Sequence, residues 1–197
     1  MHYAVIARIL GILLMLFSIT HLPPLLIDLH FGDETWRSFI WAFVITLCTG
    51  AVIWFPVREA RGELRVRDGY LITALFWTVL GFFSAIPFLV SDKPAMSATD
   101  ALFEAFSGLS TTGATVLTGL DDLPHSILYY RQQLQWLGGM GIVVLAVAVM
   151  PMLGIGGMQL YRAEMPGPLK ENKLSARIAD TAKTLWLIYC GLTVLCA

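Results

Sequence analysis

Apolar positions in this chain fall into long runs separated by short polar stretches, the pattern of helices that cross a membrane. The first run extends from about Ala4 to Ile27, interrupted by Arg8 and meeting Pro23-Pro24, where a kink or an end is predicted. The second covers about Phe39 to Val57. The third, Tyr70 to Val90, and the fourth, Leu134 to Leu153, contain no charged residue, and a fifth begins near Thr184. Each of the first four has the ~20 residues that a spanning helix requires. The opening run lacks a small-residue cleavage site and is read as a retained helix, not a signal peptide. Leu185 to Ala197 is apolar to its last residue yet too short to cross about 30 Å of hydrocarbon, so the chain is expected to be part of something longer.

The stretch from Ser91 to Arg131, between the third and fourth runs, breaks this pattern. Within it, Ala101 to Leu109 is amphipathic at helical spacing: Leu102, Phe106 and Leu109 recur at i, i+4 and i+7, with Phe103 beside them. Ser97 and Asp100 have the spacing of a capping box and put the helix start near Ala98. A helix from there to Ser110 is about 20 Å long, half a membrane span. Ser110-Thr111-Thr112-Gly113-Ala114-Thr115-Val116 follows at once. Non-helical backbone at membrane depth survives only when buried in protein or lining a watery cavity. A cation pore supplies that setting, because a dehydrated ion needs carbonyl oxygens in place of water. Glycine suits backbone dihedrals that a side chain would oppose, and a helix C-terminus aimed at the pore favours a cation. Thr-Thr-Gly alone would equally fit a tight extracellular turn; the half-length helix and the two charge-free spans favour the pore.

Composition agrees with this picture: 57% of the 197 residues are hydrophobic and 14% charged, against about 25% charged in an ordinary soluble domain. Mean hydropathy is +0.71. The fold class expected is an all-α membrane protein, with transmembrane helices and a re-entrant pore helix and filter loop. The net charge of −1 says nothing about nucleic acid, but no basic run is long enough to bind it, and no nucleic-acid partner is expected. Cys48, Cys190 and Cys196 lie in apolar runs without metal-ligand spacing, and His2, His21, His30 and His125 are scattered. No catalytic cluster sits at membrane depth, so the protein is not read as an enzyme. Ten of the 13 basic residues (Arg8, Arg58, Arg61, Arg65, Arg67, Arg162, Lys170, Lys173, Arg177, Lys183) fall on one side of the predicted spans. Arg37, Lys93 and Arg131 fall on the other. Positive residues mark the cytoplasmic side, so segments 28–36 and 91–131 face outward. Trp36, Trp54, Tyr70, Tyr129 and Tyr130 lie near span ends, as an interfacial aromatic belt would.

The segment Phe103-Glu-Ala-Phe-Ser-Gly-Leu-Ser-Thr-Thr-Gly-Ala-Thr-Val116, together with Gln135-Trp-Leu-Gly-Gly-Met-Gly-Ile-Val143, resembles the Trk/Ktr/HKT superfamily of potassium transporters, and within it the bacterial TrkH-type uptake subunit. The resemblance covers essentially the whole chain. It implies a bacterial inner-membrane, multi-pass protein for potassium uptake. Its pore has four linked helix–pore loop–helix repeats, of which this chain carries one. On that reading residues 1–66 are two leading helices, 67–155 the first repeat, and 156–197 a cytoplasmic linker and the start of the second. Gly113 is then the filter glycine, and the backbone carbonyls of Thr111 and Thr112, with Gly113, are the potassium ligands. Family members with serine at the filter-glycine position tend to accept sodium, so Gly113 implies potassium preference. The resemblance also implies a homodimer of the full-length protein in membrane lipid and a cytosolic nucleotide-binding regulatory subunit of the TrkA type.

Several residues keep two readings. Glu104 either hydrogen-bonds behind the turn or faces water. Asp100 is taken as a helix-start residue before an ion attractor, Asp121 and Asp122 as a solvated loop before a cation-enriching mouth, and Arg131 as an interfacial anchor. Gly138, Gly139 and Gly141 are read as a place where the pore helix packs closely, with a gating hinge as the alternative. Gly154, Gly156 and Gly157, after Pro151, are expected to end the fourth span. The competing functions are a two-helix cation channel made by self-association and a non-conducting membrane scaffold.

Overall fold

In the computed structural model, which describes residues 3–60, 66–153 and 170–196, every element among the described residues is helical. Helix α1, Tyr3–Ser18, passes through a 3-10 turn at Ile19–His21 into α2, Leu22–Phe31. The prolines do not end the first span: Pro23 and Pro24 occupy the first turn of α2, where a missing N–H costs nothing. Together α1 and α2 make a 29-residue apolar rod, Tyr3–Phe31, long enough to cross a membrane. Gly32, at φ +73°, closes α2 with a left-handed cap, and its amide donates to the Asp28 carbonyl.

Helix α3, Trp36–Trp54, extended by a 3-10 turn through Val57, is the second span. It packs chiefly on α1, and the contact is set by two glycines. A Cβ at Gly11 would stand 2.8 Å from the Gly50 carbonyl oxygen, and one at Gly50 2.8 Å from that of Gly11. Backbone therefore meets backbone, the close approach that small residues permit between membrane helices. Arg8 Nη1 donates to the Ala60 carbonyl at 2.9 Å and ties the start of α1 to the chain beyond α3.

The third span is α4, Val66–Ser84, continued by α5, Ile86–Val90, after a break at Ala85 next to Pro87. Helix α6, Ala98–Leu109, is the half-length helix foreseen from Ser97 and Asp100. Helix α7, His125–Leu153, begins nine residues before the predicted span, because the segment treated as outer loop is already helical. Helix α8 is Lys170–Cys196. Arg61, Glu63, Arg65, Arg162 and the helix end expected at Gly154–Gly157 lie outside the described residues.

Two compact units divide the chain, Met1–Trp136 and Leu137–Ala197. The core of the first is built around Tyr130, which is fully buried. Its ring lies 5.3 Å from Phe88, 5.6 Å from Phe39 and 5.8 Å from His21, and its hydroxyl donates to the Ser84 carbonyl at 3.0 Å. Tyr130 is therefore a core residue and not part of the aromatic belt, whereas Trp36 and Tyr129 are exposed as the belt expects. In the second unit, a Cβ at Gly139 would lie 2.7 Å from the Tyr189 hydroxyl of α8.

Candidate functional site

The site is the C-terminus of α6 and the chain that leaves it. Ser97 caps the helix: its Oγ accepts from the Asp100 amide at 3.2 Å and donates to the Asp100 carboxylate at 2.7 Å. Twelve residues later the helix ends, about 18 Å along its axis. The predicted apolar stripe is only partly its buried face: Leu109 is buried, Leu102 half-buried and Phe106 exposed. Ala101, Glu104, Ala105, Gly108 and Leu109 are buried, while Phe103 and Phe106 are exposed. Gly108 lets α6 lie close against α7, where a Cβ would be 3.0 Å from that of Leu134. The Phe106 ring sits over Gly81 of α4, where any Cβ would run into it.

The helix terminates in a double hydrogen bond. The Thr111 amide donates to the Gly108 carbonyl and the Thr112 amide to that of Ser107, both at 3.0 Å. This is the Schellman arrangement, whose left-handed residue is ordinarily glycine. Here it is Thr111, at φ +58°. A β-branched residue rarely adopts that conformation, which costs about 1–2 kcal/mol. Gly113 repeats the left-handed turn at φ +73°. A Cβ there would meet only Gln135 Nε2, at 3.8 Å, so it is the backbone dihedral and not crowding that requires glycine.

Among the described residues, no hydrogen bond is accepted by the carbonyls of Thr111, Thr112 or Gly113, while the next carbonyl, Ala114, takes the Ser107 hydroxyl at 2.6 Å. The residues from Ser110 to Val116 are exposed. Consecutive open acceptors thus stand at the partly negative end of a helix. Such a group can replace the hydration shell of a monovalent cation.

Behind the turn, Glu104 holds the departing chain. Its Oε2 accepts from the Thr115 hydroxyl at 2.9 Å and the Val116 amide at 3.2 Å, and its Oε1 accepts from Arg131 Nε at 2.5 Å. Both side chains are buried, at 3% and 7% exposure. Of the two readings of Glu104, the one behind the turn holds. Arg131 is not an interfacial anchor, because its guanidinium is enclosed and paired. Removing one partner of such a pair strands a buried charge, at a cost of about 3–5 kcal/mol.

The start of α7, which carries Arg131, is clasped to the loop between α2 and α3. Asp33 Oδ2 accepts the Ser126 amide at 2.8 Å, and Asp33 Oδ1 pairs with His125 Nδ1 at 3.2 Å. An acid at a helix N-terminus is favoured by the helix dipole. Partial burial pushes the Asp33 carboxyl up, but the bonds from Ser126 and His125 and the His125 charge outweigh it and hold the group below its usual range. Asp28, buried, accepts from the Thr35 hydroxyl, and Thr35 Oγ1 lies 2.7 Å from Ser126 Oγ. The His125 ring stacks on Phe31 at 4.3 Å. Asp121 and Asp122 are exposed in a 3-10 turn, as a solvated loop would be. No group of three or more His, Cys, Asp or Glu able to hold a metal ion is present among the described residues.

Sequence pattern located the turn, its glycine and its capped helix. It missed the Glu104–Arg131 pair, although a signal existed: each charge lies on an otherwise apolar or small helix face, Glu104 with Ala101, Ala105 and Gly108, Arg131 with Ile127, Tyr130 and Leu134.

Residues 36–197 match the family model TrkH, described as cation transport protein. The chain is 62% identical over 197 residues to the Trk system potassium uptake protein TrkH of Halomonas elongata and 60% identical to that of Escherichia coli (strain K12), covering all of this chain and 41% of each relative. It thus spans about two-fifths of the length of these curated relatives. Among solved structures it resembles the crystal structure of the potassium transporter TrkH from Vibrio parahaemolyticus, with a TM-score of 0.84 and 52% identity, over 99% of this chain and 38% of that one.

Proposed function

The chain belongs to the TrkH family of cation transport proteins, and on that premise we propose that it supplies one of four filter turns to a potassium uptake pore in the bacterial inner membrane. The observation that carries the proposal is the run of open carbonyls at Thr111, Thr112 and Gly113, set at the end of a half-length helix. These carbonyls are the ion ligands. Their side chains and the glycine hold the backbone in the shape that exposes the oxygens, and the ion exchanges water for them. The relatives' names, potassium uptake proteins, support potassium as the cargo.

Residues 1–66 act as two leading helices that brace the repeat. Residues 67–155 are the repeat itself, and 156–197 are a cytoplasmic linker and the start of the second repeat. The basic segments face the cytoplasm, and the filter turn opens outward. The resemblance to the superfamily supports a homodimer of the whole protein and a TrkA-type nucleotide-binding regulator in the cytosol.

The test is Gly113→Ser in the whole protein, produced in bacteria that lack their own potassium uptake. The potassium-over-sodium uptake ratio should fall. An unchanged ratio, with the variant present at the parent's level in the membrane, would remove this turn from the selective site.

A further inference from the structure

We propose that Glu104 is a positioning residue for selectivity: it fixes the Thr115–Val116 segment leaving the turn, and Arg131 fixes Glu104. The inference rests on the reading of Thr111–Gly113 as filter.

After Thr111 the chain reverses and climbs back along α6, and among the described residues it is tethered to that helix at two levels. Ser107 holds the lower one: its carbonyl accepts the Thr112 and Gly113 amides at 3.0 and 3.4 Å, and its hydroxyl donates to Ala114. Glu104 stands one helical turn earlier on the same face and holds the upper one, through Thr115 Oγ1 and the Val116 amide. The residues so held, Thr112 to Ala114 by Ser107 and Thr115 and Val116 by Glu104, are consecutive and have no regular structure, so the exit path of the backbone that bears the open carbonyls is set by these bonds. A single carboxylate could rotate about its last torsion, which is soft. Arg131 prevents this. It claims Oε1 from α7, leaving Oε2 turned to the segment. Buried charge pairs are weak stabilisers and are best attested as devices that select one arrangement. The arrangement selected here is the path of the backbone that leaves the open carbonyls.

The pair could instead merely bolt α6 to α7. The two roles separate because Glu104 has partners on the segment that an arginine at that position cannot serve: a guanidinium accepts no hydrogen bond. In the whole protein, the double variant Glu104→Arg with Arg131→Glu restores an opposite-charge pair between the helices but offers Thr115 and Val116 no acceptor. We expect it to recover the membrane level lost by either single change, while its potassium-over-sodium uptake ratio stays low. Thr115→Val deletes one hydroxyl, leaves the ion pair intact and should lower the ratio several-fold at the parent's membrane level. Gly113→Ser is the reference. If it lowers the ratio while Thr115→Val leaves it at the parent value, or if the swapped pair restores the ratio, Glu104 only bolts helices and the proposal is overturned while the filter reading stands. If Gly113→Ser also leaves the ratio unchanged, the filter reading falls, and this proposal with it. Should the swapped pair fail to reach the membrane, Thr115→Val decides alone.

Discussion

Gly113→Ala separates the cost of a dihedral from the cost of a lost ion site. A Cβ at Gly113 meets nothing closer than Gln135 Nε2 at 3.8 Å, which is ordinary contact, so no packing term arises. The penalty comes from φ +73°, which costs an L-residue about 1–2 kcal/mol. Stiffening of the unfolded chain offsets about 0.4–1 kcal/mol of that. The net loss is then about 1 kcal/mol. Gly32 supplies the control, since it has the same φ of +73° and nothing within 4 Å of a Cβ. Gly32→Ala should therefore lower the thermal unfolding midpoint of the detergent-solubilised protein by the same amount as Gly113→Ala. Uptake should separate them: Gly113→Ala distorts the open carbonyls and loses selective potassium uptake, and Gly32→Ala keeps it. Equal uptake by both variants would refute the placement of the site. A much larger midpoint loss for Gly113→Ala would refute the claim that the glycine is there for its dihedral alone.

Gly11→Ala should destabilise by about 1–3 kcal/mol, because its Cβ would stand 2.8 Å from the Gly50 carbonyl and 2.9 Å from Trp54 Cβ, forcing α1 and α3 apart; a parent-like unfolding midpoint would show that the helices do not meet there. Asp33, held below its usual value of 3.8, stabilises the fold at neutral pH and loses that contribution as pH falls through its lower folded value. The stability gap between the parent and Asp33→Asn should therefore be constant near neutrality and narrow below pH 3.8, and a gap independent of acid would mean that the clasp does not hold α7. Arg58→Cys, in a background with Cys48, Cys190 and Cys196 replaced, should react with an impermeant thiol reagent only in permeabilised cells; reaction in intact cells would invert the topology.

What the sequence made legible was local. Runs of apolar residues gave the spans, and Ser97 with Asp100 gave the start of α6 to the residue. Gly113 marked a left-handed turn because only glycine takes that conformation without cost. Thr111 gave no such sign. Its left-handed backbone follows from the two amide bonds that close the helix, and hydrogen bonding there overrides the preference of the side chain. The Glu104–Arg131 pair joins residues 27 positions apart, beyond the reach of helical periodicity. Starting the fourth span at Leu134 also hid the fact that Arg131 shares a helix face with Ile127 and Leu134. The apolar stripe Leu102, Phe106 and Leu109 of α6 held only in part for a related reason: periodicity finds a face, and burial by neighbours decides which face is inside. Here Gly108 is small enough to admit Leu134 of α7, and Phe103 stays exposed while the half-exposed Phe106 ring packs over Gly81 of α4.

The central claim is that potassium meets this chain at the carbonyls of Thr111, Thr112 and Gly113. The most direct measurement is anomalous scattering from crystals of the whole protein grown with rubidium or thallium in place of potassium. An anomalous peak is expected at direct coordination distance from those carbonyl oxygens, lost in Gly113→Ser crystals. A peak beside Asp121 and Asp122, with none at the turn, would contradict it.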